Sequence, residues 1–144
     1  MRRTWLLLVA SLTLTLLAGL LSGCGGQAAI TDDPAADAEL ALADTVDVAT
    51  VASIKDRDDV FILDVREPYE YEAGHIPGVT LIPMNDVPQR LSDIPTDKTV
   101  IVTCRTGNRS SQVTDYLRQQ GFDNVHNMAG GIVDWEAAGY EVER

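Results

Sequence analysis

Two continuous apolar runs mark the centre of the folded part of this chain. Residues 60–65 and 99–103 are rich in β-branched side chains and do not alternate with polar ones. Runs of this kind are typical of strands that are covered on both faces, as in a parallel sheet. Shorter runs predict further strands at 79–83 and 124–128, and residues 45–48 predict an edge strand.

Helical patterns lie between these strands. The clearest is 110–120, where Val113, Tyr116 and Leu117 recur at helical spacing and Gly121 follows as a stop signal. The other predicted helices are 49–55, 68–73, 87–92 and 132–138. Strands that alternate with helices predict an α/β fold with a largely parallel sheet, in which ligands bind beyond the carboxyl ends of the strands.

The N-terminus has the pattern of an export signal. Arg2 and Arg3 precede an uncharged apolar run at 5–21, and Leu21-Ser22-Gly23-Cys24 closes it. The segment resembles a bacterial lipoprotein signal, which implies cleavage before Cys24 and lipid, including palmitate, on that residue. We therefore expect an extracytoplasmic protein anchored to the cell membrane, or to an outer membrane where one exists. An uncleaved membrane anchor and a secreted protein are the alternatives.

Composition divides the chain into three parts. Residues 1–23 are the predicted signal peptide, and 24–44 are the lipidated cysteine with a flexible acidic tether rich in Gly, Ala and Asp. The predicted folded domain is 45–144. Once the signal is removed, about 120 residues remain, which is enough for one domain with its own core and not for two.

The charge balance excludes some partners. The chain has 22 acidic and 11 basic residues, and removing Arg2 and Arg3 leaves nine basic residues and a formal charge of −13. Nucleic acids and anionic lipid headgroups require a basic surface, so neither is an expected partner. Arg105 and Arg109 stand out as basic residues in an acidic chain.

Cys104 is the candidate nucleophile. With Cys24 lipidated it has no partner for an intrachain disulfide. It follows the predicted strand at 99–103, precedes the predicted helix at 110–120, and has arginines nearby. Guanidinium groups and the N–H groups at a helix N-terminus both favour a thiolate. A buried inert thiol is the alternative.

Four motifs resemble, in order and spacing, those of a single rhodanese domain. They are Leu63-Asp64-Val65-Arg66-Glu67 with Glu70-Tyr71, Gly74-His75-Ile76-Pro77-Gly78, the loop from Cys104 to Ser110, and Gly130-Gly131 with Trp135. The resemblance covers about 45–144. It implies a rhodanese-like α/β fold with about five parallel strands and helices on both faces, and a sulfurtransferase in which Cys104 carries a persulfide.

The implied reaction moves a sulfane sulfur from thiosulfate, or a related small anion, to a thiol or cyanide acceptor. It needs no metal and no organic cofactor. Arg105 and Arg109 would attract the anionic donor, and the loop would supply N–H groups around the sulfur, with Gly107 at a positive φ. The predicted substrate-binding residues are Arg105, Thr106, Gly107, Asn108, Arg109 and Ser110. The domain is expected to be a monomer.

Two other functions remain open. Cysteine phosphatases and arsenate reductases use a related loop, but with five residues between cysteine and arginine, whereas Cys104 and Arg109 have four between them. A shorter loop makes a smaller cradle, suited to one sulfur atom. A rhodanese-like module can also sense sulfur species or bind a partner without turnover.

The remaining polar candidates have structural interpretations. Asp64 and Arg66 are expected to form an ion pair or a cap that fixes the turn after a strand end, rather than to act in catalysis. His75 is expected to be a hydrogen-bonded structural residue rather than a general base, and His126 to be structural or at the surface. Trp135 is expected to lie in the core, with the pocket entrance as the alternative. Two histidines without a cluster of other ligands predict no zinc site.

Overall fold

All five strands of the sheet are parallel. The computed structural model describes residues 40–144, in which the strands are β1 (Thr45–Val46), β2 (Val60–Asp64), β3 (Thr80–Leu81), β4 (Thr99–Thr103) and β5 (Val125–Met128). Their order across the sheet is β1-β5-β4-β2-β3, with β1 at one edge. The predicted parallel α/β sheet and the predicted edge strand are both confirmed, although β1 and β3 are shorter than their apolar runs suggested.

The central strands carry apolar side chains on both faces, because successive residues of a strand point to opposite sides. On β4, Val100 and Val102 belong to one buried cluster, while Ile101 belongs to the other. On β2, Leu63 and Ile62 divide in the same way. The absence of alternation in the sequence therefore reflects burial of the sheet on both sides.

Helices cover both faces, as the sequence predicted. They are α1 (Val48–Ile54), α2 (Pro68–Ala73), α3 (Asn108–Gln119) and α4 (Gly131–Ala137). Val51 of α1 and Trp135 of α4 pack with Ile101, whereas Val113 and Leu117 of α3 pack in the cluster on the opposite face. The sheet is thus held between two helical layers, with β4 at its centre.

The segment 87–92 differs from its prediction as one helix. It forms two 3-10 turns, Val87–Gln89 and Leu91–Asp93. Arg90 separates them with φ −122° and ψ 25°, which lies outside the helical region. Pro88 does not cause this break, because it lies in the first turn, where a helix tolerates a missing N–H group.

The predicted signal peptide at 1–23, Cys24 and most of the predicted tether lie outside the described residues. Between residues 40 and 144, no helix is both long enough and apolar enough to cross a membrane. The same part of the chain contains no group of three or more His, Cys, Asp or Glu side chains placed to hold a metal ion.

Candidate active site

Cys104 lies directly after the central strand, at the carboxyl edge of the sheet. The last residue of β4, Thr103, pairs in register with Asp64 at the end of β2, and the neighbouring strand β5 places Asn127 opposite Val102. The Cys104 side chain is buried, at 1% exposure, and it is the free cysteine of the described residues. The thiol therefore occupies the position where parallel α/β sheets bind their ligands.

The Cys104 sulfur has polar neighbours. The Gly107 N–H donates to Sγ at 3.2 Å, and the Ser110 Oγ lies 3.4 Å from Sγ. Gly107 precedes α3 with φ +95°, which confirms the predicted positive φ. It also packs tightly, since a Cβ there would lie 3.3 Å from the Gly130 nitrogen and from the Met128 carbonyl oxygen. Cys104 also packs in the apolar cluster of Val102 and Val113, so the hydrogen-bonding groups at Sγ are what distinguish it from an inert core thiol.

These neighbours favour the thiolate. Burial alone would raise the pKa of the Cys104 thiol, but hydrogen bonds from the Ser110 side chain and from backbone N–H groups outweigh it. The N–H groups belong to Ser110, Thr106 and Gly107, and the net effect places the pKa of Cys104 below its ordinary value of 9.0. The partial positive charge at the N-terminus of α3 acts in the same direction.

The N-terminus of α4 holds the carbonyl groups of the Cys104 loop. The Ile132 N–H donates to the Cys104 carbonyl oxygen at 2.9 Å, and the Val133 N–H donates to the Arg105 carbonyl oxygen at 3.1 Å. Gly131 makes this approach possible, because it has φ +58° and a Cβ there would overlap the Cys104 carbonyl oxygen. With two carbonyls bound to α4, the N–H groups of the loop are free to turn toward the sulfur.

The two loop arginines have different environments. Arg109 makes two hydrogen bonds of 2.7 Å to the carboxylate of Glu70, so its charge is compensated within the protein. Arg105 is exposed and makes no side-chain hydrogen bond or ion pair with any residue of 40–144. That both arginines attract the anionic donor stays a prediction, and for Arg109 the attraction would act through a guanidinium already shared with Glu70.

The ion pair between Glu70 and Arg109 makes the stability of the fold depend on pH. Hydrogen bonding to Arg109 is the main cause that lowers the pKa of the Glu70 carboxyl from 4.5 to about 2. A carboxyl whose pKa is lowered by folding contributes stability that is fully present above its unfolded pKa. That contribution is lost as the pH falls from 4.5 through about 2.

Asp64 and Arg66 form the ion pair that the sequence predicted. Their side chains are 2% and 4% exposed, and the Arg66 Nη2 lies 2.7 Å from the Asp64 Oδ2. The Arg66 guanidinium also donates to the carbonyl oxygens of Glu70 and Gly74, at 3.2 and 2.9 Å. The pair therefore fastens the C-terminal half of α2 to the end of β2.

A cavity of about 310 Å³ lies beside the Cys104 loop. Its lining comprises Arg66, Tyr69, Glu70, Ala73, Gly74, Arg105, Ile132, Val133 and Glu136. Within the described chain, Tyr69 and Val133 are the exposed large apolar residues, and both line this cavity. The two glutamates of the lining are paired with Arg109 and Arg144. Arg105 has no such partner among the described residues, so its charge favours a small anion in the cavity.

The histidines and the tryptophan have the structural roles expected of them. His75 stacks on Tyr71, and its Nδ1 lies 3.0 Å from the Tyr71 carbonyl oxygen. His126 contacts the Ala43 carbonyl oxygen through Nδ1 at 2.8 Å. Trp135 is buried in the core and donates its indole N–H to a backbone carbonyl.

The predicted loop residues divide into two groups. Gly107 and Ser110 contact the sulfur, and Thr106 contributes a backbone N–H, whereas Asn108 is exposed at the start of α3 and does not contact Sγ. Sequence reasoning missed Asn127, whose Oδ1 lies 2.6 Å from the Ser110 Oγ. No conspicuous signal was present, because His126 beside it is also polar and both belong to a strand of four residues.

Comparison with known proteins agrees with this geometry. The rhodanese-like domain family matches residues 47–138. A sulfurtransferase from Allochromatium vinosum is 42% identical over 89 residues, which cover 62% of this chain and 83% of that protein. A thiosulfate sulfurtransferase from Pseudoalteromonas translucida is 37% identical over 100 residues, which cover 69% of this chain and 95% of that protein.

A solved structure gives the same result for the fold. The crystal structure of a rhodanese-related protein from Thermoplasma volcanium matches with a TM-score of 0.64 and 32% identity, covering 70% of this chain and 98% of that one. Three observations agree on one assignment: the five-stranded parallel sheet, the cysteine loop at its carboxyl edge, and the family match over most of the described residues. This chain belongs to the rhodanese-like domain family.

Proposed function

We propose that this protein is a sulfurtransferase that carries a sulfane sulfur as a persulfide on Cys104. The observation that carries the proposal is the polar setting of a buried sulfur, where the Gly107 N–H donates to Sγ at 3.2 Å and the Ser110 hydroxyl oxygen lies 3.4 Å away. Both can stabilise negative charge on sulfur. Relatives named as sulfurtransferases support a rhodanese-type enzyme, and the thiosulfate sulfurtransferase among them suggests the donor.

In the first step the Cys104 thiolate attacks the outer sulfur of thiosulfate. A new S–S bond forms to Cys104, the S–S bond of thiosulfate breaks, and sulfite leaves with the bonding electron pair. The product is a cysteine persulfide whose negative charge lies mainly on the outer sulfur. The loop N–H groups of Thr106 and Gly107 are suited to bind that charge, and the exposed Arg105 is suited to attract the dianionic donor.

In the second step an acceptor takes the outer sulfur. A cyanide ion or a thiolate attacks that atom, the S–S bond to Cys104 breaks, and the Cys104 thiolate is regenerated as the leaving group. Cyanide leaves as thiocyanate and a thiolate leaves as a persulfide. In each step one bond forms, one bond breaks, and the leaving group takes the bonding electron pair. The cycle therefore needs no external oxidant or reductant.

The arrangement of Arg109 argues against a phosphatase or arsenate reductase. In those enzymes the arginine that ends the cysteine loop must bind the oxyanion, but here the guanidinium of Arg109 is bound by Glu70 at 2.7 Å. A non-catalytic sulfur sensor remains the second candidate, because the same cradle would hold a persulfide without releasing it. Turnover with an acceptor separates these two functions.

The proposal is tested by the intact mass of the purified protein after treatment with thiosulfate. We expect a gain of one sulfur atom that maps to Cys104 and disappears on addition of cyanide, with release of thiocyanate. A stable adduct that neither cyanide nor thiols remove would favour the sensor, and a protein that never gains the mass would contradict both.

Replacing Arg105 should weaken the use of thiosulfate. A charge-assisted hydrogen bond is worth about 1.5–3 kcal/mol, so we expect Arg105→Ala to lower kcat/KM for thiosulfate by about ten- to a hundredfold. The loss should be smaller with an organic persulfide, which carries less negative charge, and Arg105→Lys should retain most of the activity. Equal losses with both donors would instead indicate that Arg105 supports the fold of the loop.

We also propose that the protein is exported and anchored by lipid on Cys24, with the folded domain outside the cytoplasmic membrane. The support is the sequence from Arg2 to Cys24, which combines a basic start, an apolar run and a cysteine after small residues. A lipid-anchored enzyme would act on sulfur compounds at the membrane surface.

Cys24→Ala should release the protein from membranes or block its processing. Without the cysteine there is no sulfur to carry the lipid. The protein should therefore no longer be labelled by a radioactive fatty acid. Cys104→Ser is the matched control, because it removes the other cysteine and should leave labelling and membrane association unchanged. Wild-type protein that takes up no fatty acid and fractionates with the cytosol would contradict the anchor.

A further inference from the structure

Three possible acceptors surround the Ser110 hydroxyl group, which has one proton to donate. Its Oγ lies 2.6 Å from the Asn127 Oδ1, 3.1 Å from the Gly107 carbonyl oxygen and 3.4 Å from the Cys104 Sγ. A hydroxyl group carries one proton. The shortest contact is the one to Asn127, and an amide oxygen can only accept, so this contact takes the proton.

In this arrangement the Ser110 hydroxyl group favours the thiolate only after its proton has turned from Asn127 to Sγ. When Ser110 donates to Asn127, the oxygen turns its lone pairs toward the Cys104 sulfur. A neutral S–H can donate to those lone pairs, but a thiolate is only an acceptor and would be repelled. The thiolate needs the Ser110 proton to point at Sγ.

Rotation of the Asn127 side-chain amide provides that proton. A half turn exchanges Oδ1 with Nδ2 without a change of shape, and the N–H group would then donate to the Ser110 oxygen. The hydroxyl proton would be free to point at Sγ. Asn127 is buried, at 8% exposure, and its Nδ2 makes no hydrogen bond with any residue of 40–144 in the present orientation.

We propose that Asn127 is a positioning residue for Cys104, whose side-chain amide accepts from Ser110 when Cys104 is a thiol and donates to Ser110 when it is a thiolate. The inference rests on the proposed function only in taking Cys104 as the nucleophile. An asparagine is suited to this role because one amide group carries both an acceptor and donors, whereas a carboxylate carries acceptors alone.

The charged groups near Cys104 are mostly paired. On the β2 side Asp64 is bound by Arg66, and the Arg109 guanidinium of α3 is bound by Glu70 of α2. Arg105 in the loop is exposed. On the α4 side, the Asp134 carboxylate lies beside Gly130, and on β5 the neighbouring ionisable residue is His126. A change at Asn127 removes none of these groups, so its effect on Cys104 comes through Ser110 and through any charge that the change itself adds.

The test is the pH dependence of alkylation of Cys104 by iodoacetamide. The ionised carboxylate of Asn127→Asp cannot donate to Ser110, so the Ser110 hydroxyl group continues to donate to that carboxylate. We expect the apparent pKa of Cys104 to rise by at least about one unit, with alkylation about tenfold slower at pH values below both pKa values. The added negative charge contributes to this rise independently of Ser110.

The Ser110→Ala background separates the two contributions. In it, Asn127→Asp should raise the pKa of Cys104 by less than half as much, because only the charge effect remains. Equal shifts in both backgrounds would overturn the proposal. Alkylation requires no sulfur transfer, so failure of the proposed catalytic cycle and failure of this relay give different results.

A measurement on the unaltered protein covers the case in which Asn127→Asp does not fold. The side-chain amide resonances of Asn127 should shift with pH at the midpoint found for Cys104 alkylation. Asn124 is the internal control, because its side chain donates to two backbone carbonyls and should not respond. Asn127 resonances that stay constant through that midpoint would overturn the proposal.

Discussion

Cys104→Ser is expected to lower the rate of sulfur transfer from thiosulfate to cyanide by at least about a thousandfold. Serine keeps the shape of the side chain but replaces a thiolate with a hydroxyl group, which is not ionised at neutral pH and cannot form a persulfide. Removal of a covalent nucleophile typically costs this much or more in rate. The measurement is kcat/KM together with the intact mass, which should show no added sulfur.

Folding must be checked in parallel, because Cys104 packs in the buried cluster of Val102 and Val113. Cys104→Ala is the second variant, since it removes the nucleophile without placing a polar atom in that cluster. Both variants should lose activity to the same extent while retaining the cooperative unfolding of the wild type. Either variant transferring sulfur at the wild-type rate would exclude Cys104 as the carrier.

Asp64→Ala is expected to lower the free energy of unfolding by about 3–5 kcal/mol. The substitution leaves the Arg66 guanidinium buried without the carboxylate that accepts three of its side-chain hydrogen bonds. An uncompensated buried charge costs far more than the original pair contributes. Urea denaturation measures the change directly, with the slope m as a check that the same surface unfolds.

The pair Arg90–Asp93 provides a matched control. Its side chains are 43% and 45% exposed, so Asp93→Ala should cost less than about 1 kcal/mol. The double variant Asp64→Ala/Arg66→Met should be more stable than Asp64→Ala, because it removes the stranded charge. An Asp64→Ala protein as stable as the Asp93→Ala protein would show that the buried pair is not a determinant of stability.

Local features of the sequence predicted local structure well. The run at 99–103 became β4 without change, and Pro68–Ala73 became α2. The position of Cys104 at the carboxyl edge of the sheet also followed from the order of strand, loop and helix. These predictions succeeded because they depend on local signals. The spacing of apolar residues, and the Pro, Gly and capping residues that begin or end an element, act within a few positions of the chain.

Features that depend on tertiary packing could not be predicted. Arg109 and Glu70 are far apart in sequence, and their ion pair depends on how α2 lies against the start of α3. Without that contact Arg109 looked like a free cation. Asn127 looked like an ordinary polar residue in a short strand, because only the register of β5 beside β4 brings it to Ser110.

The binding of the Cys104 loop to α4 has a consequence for the order of events during folding. The groups that shape the loop, at Met128, Gly130, Ile132 and Val133, are all synthesised after it. A chain in which β5 and α4 have not yet docked contains Cys104 and its flanking arginines but not the arranged N–H groups. Its thiol would react like that of an ordinary peptide. If the seven-residue motif from Cys104 to Ser110 were moved into an unrelated protein, its cysteine would therefore lack the reactivity of Cys104.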